Sequence, residues 1–124
     1  MRKAGFFDIY VADMDRAQRF YETVLETQLN AMDDPNDSSV QMRAFADDFQ
    51  SHGAGGALVK LEGAKPGPGG TMIYFTCEDC AVEAARVEPA GGKLVRPKFP
   101  IGDHGFVALA SDTEGNMIGF HSLK

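Results

Sequence analysis

Three histidines and one acid are the residues of this chain best suited to chemistry: His52, His104, His121 and Asp8. An imidazole titrates near neutral pH, and a neighbouring carboxylate can orient it, so such a pair can move protons. His121 lies in the last apolar run, "MIGFHS", and Asp8 in the first, "FFDIY". These two are the expected catalytic residues, provided that the fold brings their strands close. His52 and His104 occupy the glycine-rich stretches "SHGAGG" and "GDHGF", where a solvent-facing loop histidine is the ordinary case. Combined with His121 and with Glu62 or Glu114 they would make an unorthodox metal site. They lack the close spacing of paired ligands on one helix, so no metal is expected. The pair Cys77 and Cys80 in "CEDC" could suggest redox work, but the acids between them suppress thiolate. Two cysteines are also only half of a four-ligand zinc site. Glu114, in the turn "DTEGN", reads as a surface acid, and Gly115 and Asn116 are the pair expected at positive φ in a tight hairpin.

The elements that must position these residues form a repeat. "FFDIYVADMDRAQRFYETVL" starts at Phe6 and "MIYFTCEDCAVEAARVEPAGG" at Met72, and each reaches an Asp seven residues later, Asp13 and Asp79. Ala17, Phe20, Tyr21, Val24 and Leu25 then recur at helical spacing, as do Ala81, Ala84, Ala85 and Val87. The second helix should stop at Pro89 and Gly91. Strand material follows both: "TQLNAM", "SSVQMRAFA" and "GGALVKLE", then "GKLVRPKF", "HGFVALAS" and "NMIGFHSL". A Pro/Gly-rich connector, residues 63–70, separates module one (1–62) from module two (71–124). The expectation is one α+β domain of two βαβββ modules. A helix covers one face of each four-stranded sheet, so the modules should pair into a curved mixed sheet around a cleft, helices outermost.

Composition narrows the partners. At 124 residues with 44% apolar content the chain can bury a core without staples. Net charge is −6 and the pI is near 4.9, with no basic run longer than Arg2-Lys3. Neither nucleic acid nor an anionic membrane surface is an expected partner. No apolar stretch approaches the roughly 20 residues of a membrane helix. Asp8 also interrupts the opening apolar run before a secretory core forms, which points to the cytoplasm.

The stretches "DMDRAQRFYETVL", "AGGKLVRPKF" and "GFVALASDTEGNMIGFHS", in this order, resemble the vicinal oxygen chelate superfamily of glyoxalases, extradiol dioxygenases and bleomycin-resistance proteins. The resemblance covers nearly the whole chain and implies the paired-module fold, with a homodimer as a common assembly. In the superfamily's enzymes a His at the start of each module's first strand and an acid near the end of its last strand grip a divalent ion. That ion acts as a Lewis acid with positions open for substrate. The matching positions here are Phe6, Met72 and Gly119, with the fourth nearest Ala57 or Leu58 in "GALVKLE", whose acid, Glu62, stands four or five residues further on. None of these positions offers an oxygen or imidazole donor, so no cofactor is expected.

Strand alternation puts Asp8 and Tyr10 on the face of Phe6, Tyr74 and Thr76 on that of Met72, and His121 on that of Gly119. Phe6, Tyr10, Met72, Tyr74, Thr76 and Gly119 are the expected ligand-binding wall, a mix suited to a small organic molecule. The expected function is metal-independent small-molecule binding, like that of bleomycin-resistance proteins. The alternatives are a glyoxalase-like lyase or isomerase, or a dioxygenase relative, using His121 as acid/base, and a non-catalytic interaction module.

Overall fold

Both modules open with the same device. Asp13 caps the first helix by accepting the N–H of Arg16, and Asp79 caps the second by accepting that of Ala81. A computed structural model of the chain describes residues 2–32, 39–45 and 53–124. Module one runs β1 (Phe6–Tyr10), α1 (Met14–Leu25), β2 (Leu29–Ala31), β3 (Gln41–Phe45) and β4 (Gly55–Lys60). Module two runs β5 (Ile73–Thr76), α2 (Cys80–Arg86), β6 (Lys93–Pro100), β7 (Phe106–Ser111) and β8 (Met117–Ser122), with a 3₁₀ turn at Gly102–His104. This is the expected order, twice. No helix among the described residues is long and apolar enough to cross a membrane.

Each module folds into a mixed four-stranded sheet, ordered β1-β4-β3-β2 and β5-β8-β7-β6. The first pair in each is parallel and the rest antiparallel. β1 and β5 are therefore both edges, and side chains rather than a backbone ladder join them. Phe7 and Phe75 meet edge to face across that seam, ring centroids 6.1 Å apart. Phe75 also packs against Phe45 and Tyr21 of module one, at 5.8 and 5.9 Å. The expected curved sheet is thus two sheets with one shared aromatic core, where each ring contact adds about 1 kcal/mol to its burial.

Helix α1 buries Met14, Ala17, Phe20, Tyr21 and Val24 against the sheets, as its spacing required. Helix α2 departs from expectation: Ala81 and Ala85 are exposed, and the buried stripe is Cys80, Ala84 and Val87. Those three keep the i, i+4, i+7 spacing of one helix face, and alanines on either side of the stripe carry no signal of their own. The helix also ends earlier than expected, at Arg86. Arg86 then reaches α1, donating to the Val24 carbonyl at 3.2 Å and pairing with Glu26 at 3.0 Å.

A second tie comes from the turn between β7 and β8, and it corrects the reading of Glu114. That carboxylate is wholly buried, not a surface acid. It accepts the N–H of Asp13, an orphan donor at the start of α1, and that of Ala12 just before it, both at 2.9 Å. The same carboxylate also receives both arms of Arg16, Nε at 2.8 Å and Nη2 at 3.0 Å, and the Thr113 hydroxyl at 2.9 Å. Asp112, itself buried, shapes the turn by accepting the N–H groups of Glu114 and Asn116. Its other oxygen takes the Tyr21 hydroxyl at 2.6 Å and the Asn116 amide at 3.1 Å. Asn116 donates to the Tyr10 carbonyl and accepts from Gly67 of the connector, both at 2.8 Å. Only Gly115, at φ 86°, takes the positive φ expected of both turn residues, because Asp112 organises a wider loop than a tight hairpin.

Burial alone would raise the Glu114 pKa, but Arg16, the Asp13 amide and the Thr113 hydroxyl overcome it, holding the group at about 2 against an ordinary 4.5. Between those values the unfolded chain binds a proton that the folded one does not, so stability is present above about 4.5 and is lost toward pH 2. Arg16 is half exposed, and with screening on that side the effect is on the order of 2 kcal/mol. Urea unfolding of Glu114→Gln should show a loss of about that size at pH 7, shrinking as pH falls from 4.5 toward 2. An equal loss at both ends of the range would sink the assignment.

Candidate functional site

The sheet faces turned away from the helices carry the residues that alternation grouped, but the fold divides them among three grooves, none of which Gly119 lines. Phe6, Met72, Tyr74 and Thr76 line a cleft of about 400 Å³ at the β1–β5 seam, with Phe7, Phe45 and Phe75 on its inner side. Asp8 and Tyr10 line a second groove of about 310 Å³, with Lys65 and Thr71 from the connector side and Asn116 and Met117 from the clamped turn. His121 lines a third, of about 550 Å³, with Cys77, Glu78 and Leu123. Thr76 borders both the first and the third.

Asp8 and His121 thus line different grooves, and no hydrogen bond or ion pair among the described residues joins them. His121 is fixed by another group. Its Nε2 lies 2.6 Å from the carbonyl of His104, which can only accept, so Nε2 is the donor and, in the neutral ring, Nδ1 is the acceptor. At this position β8 is paired on both sides, opposite Thr76 of β5 and Val107 of β7. His104 itself is exposed. His52 lies outside the described residues.

Register locates the fourth position of the superfamily's metal site. Tyr74 of β5 stands opposite Gly119 of β8, and Asp8 of β1 stands opposite Ala57 of β4. The modules repeat each other, so Ala57, fully buried, is the counterpart of Gly119. Phe6, Ala57, Met72 and Gly119 offer a phenyl ring, a methyl group, a thioether and a hydrogen atom. Such a set does not fit a hard divalent ion. The space above Gly119 is also filled, since a Cβ built there would overlap Cδ1 and Cε1 of Tyr74. No three His, Cys, Asp or Glu side chains converge on an ion site among the described residues.

Sequence reasoning missed the rings of Phe7, Phe45 and Phe75 at the cleft because alternation assigned Phe7 and Phe75 to the covered face. A cleft at a seam between two edges collects side chains from both faces. It also missed Lys65, whose place beside Asp8 depends on how the connector folds.

The comparisons with known proteins agree with this architecture. The family model of the Glyoxalase/Bleomycin resistance protein/Dioxygenase superfamily matches residues 3–120, and the chain belongs to that superfamily. Among solved structures, a glyoxylase/bleomycin resistance protein/dioxygenase domain from Frankia sp. EAN1pec has TM-score 0.74 at 15% identity, over 98% of each chain. A glyoxalase-related enzyme from Fulvimarina pelagi has TM-score 0.71 at 16% identity, over 98% of this chain and 88% of its own. A glyoxalase I mutant from Zea mays has TM-score 0.72 at 19% identity, over 96% of this chain but only 46% of its own length. At such identities the likeness is one of fold. No curated protein sequence matches the chain.

The cysteines behave as structural residues. Burial, with the Glu83 carboxylate nearby, pushes the Cys77 thiol up to about 12, and Cys80 is buried at the start of α2. Thiolate is the reactive form, so iodoacetamide at pH 7 should leave both unmodified in the native protein and alkylate both in urea. Rapid native labelling of Cys77, read by mass spectrometry, would contradict this.

Proposed function

We propose that this protein binds a small organic molecule without a metal, in the aromatic cleft between β1 and β5. One observation carries the reading: the positions of the superfamily's metal ligands hold Phe6, Ala57, Met72 and Gly119, and two of these, Phe6 and Met72, line that cleft. A cleft walled by rings and a thioether gains free energy by removing apolar ligand surface from water. Thr76 and the Tyr74 hydroxyl supply the few polar groups that orient a ligand. Tyr10, Asp8 and Lys65 border the adjacent groove and can contact a ligand long enough to span both. Phe6 and Tyr74 are 54% and 49% exposed on the open face, an apolar surface that a homodimer would also cover.

Elemental mass spectrometry of tag-free protein purified without chelator should find well under one equivalent of metal, unchanged after incubation with zinc, nickel, manganese and iron. One tightly held ion per chain would overturn the reading.

A second reading, proton-transfer catalysis at His121, has one observation in its favour: the His104 carbonyl pins the ring and presents Nδ1 as a base. Should a lyase or isomerase activity be found, His121→Ala is expected to abolish it with the fold intact. Unchanged turnover in that variant would remove this reading and leave the first in place.

A further inference from the structure

The contact between Tyr74 and Gly119 says more about the ligand than the cleft's outline does. Gly119 is buried although its strand face is open, and the ring of Tyr74, its partner across the parallel β5–β8 pair, is what covers it. A side chain at 119 of any size beyond hydrogen would displace the ring. The glycine therefore lets the ring lie down on the strand, where a larger residue would force it to stand away. One ring face is then spent on the strand, while the side chain remains 49% exposed and borders the cleft. From the facing edge, Phe6 offers a second ring, 54% exposed. None of the described side chains lining this cleft carries a charge.

We infer that Tyr74, laid flat on Gly119, is a stacking platform for a flat, uncharged ring system entering the cleft beside Phe6. This rests on the small-molecule reading above and adds the ligand's chemical class. Offset stacking favours a planar π-system over an aliphatic ligand of equal area. An ionic group would lose its hydration here with no counter-charge among the described lining residues.

The test is fluorescence titration of the purified protein, at physiological ionic strength, with acridone as a neutral flat probe and proflavine as a cation of the same three-ring size. Acridone should bind, and more tightly than proflavine. Tyr74→Phe keeps the platform and should hold affinity within about twofold, whereas Tyr74→Ala should weaken it about tenfold. Gly119→Ala, remote from the probe but beneath the ring, should weaken it comparably by lifting the platform. The Gly119→Ala/Tyr74→Ala double variant should be no worse than Tyr74→Ala alone. Circular dichroism confirms that each variant folds, and if Gly119→Ala does not, the Phe and Ala variants at Tyr74 still decide. Absence of acridone binding, wild-type affinity in Tyr74→Ala or in folded Gly119→Ala, or tighter binding of proflavine would each overturn the proposal. The wider reading survives those outcomes if a screened ligand of another shape binds and loses affinity in Phe6→Ala.

Discussion

The buried carboxylate of Glu114 is the constraint on which the arrangement of the two modules depends. A helix N-terminus presents donors that no residue of its own helix can satisfy, and Glu114 answers one of those, at Asp13, together with the N–H of Ala12 before it, from the opposite module. Around it, Asp112 fixes the shape of the turn and Asn116 ties that turn to the end of β1 and to the connector. Every one of these bonds reaches a fixed backbone group or a side chain held by others. The turn therefore cannot slide without breaking several together, which is how a handful of bonds can set the spacing of whole sheets. Because β8 starts at this turn and β5 pairs with β8, the docking also sets where β5 stands relative to β1. The width of the seam cleft follows from it.

The two modules share register but not content. Asp8 over Ala57 in one corresponds to Tyr74 over Gly119 in the other. Module one has its own ring-on-glycine contact one residue away: a Cβ at Gly56 would overlap the Phe7 ring, its cross-strand partner. That contact packs against the core beneath the cleft, whereas the Tyr74 contact lies on the open face. A shift of one residue along a strand changes face, so the same packing device serves the core in one module and the open surface in the other.

The fold was legible because its signals are local and repeated: an apolar strand, a capping Asp, a helical stripe, then three strands, twice. The element order and the helix starts just behind Asp13 and Asp79 are where those signals place them. The site was legible only in part. Alternation correctly put Phe6, Asp8 and Tyr10 on one face, as it did Tyr74 and Thr76, yet it could not tell that the seam splits that face into separate grooves. Distances between Asp8 and His121 depend on the meeting of two sheets, which no stretch of sequence records. Glu114 was misread for the same reason. Its partners are about a hundred positions away in the chain, and an acid beside a glycine in a turn looks solvated until the other module arrives.

Loss of the superfamily's metal donors is also physically self-consistent across all four positions. A carboxylate at 57 or 119, with Phe6 and Met72 standing where imidazoles would hold the ion, would be a buried charge facing apolar walls. Such a group costs several kcal/mol unless it is protonated or paired. Ala57, fully buried, occupies its position with a methyl group alone. Gly119 goes further and leaves room that a neighbouring ring fills. Dispersion contact of the Tyr74 ring with the strand replaces coordination as the force that organises this end of the cleft. A ring held that way is backed by the strand at Gly119 and still half exposed beside the cleft.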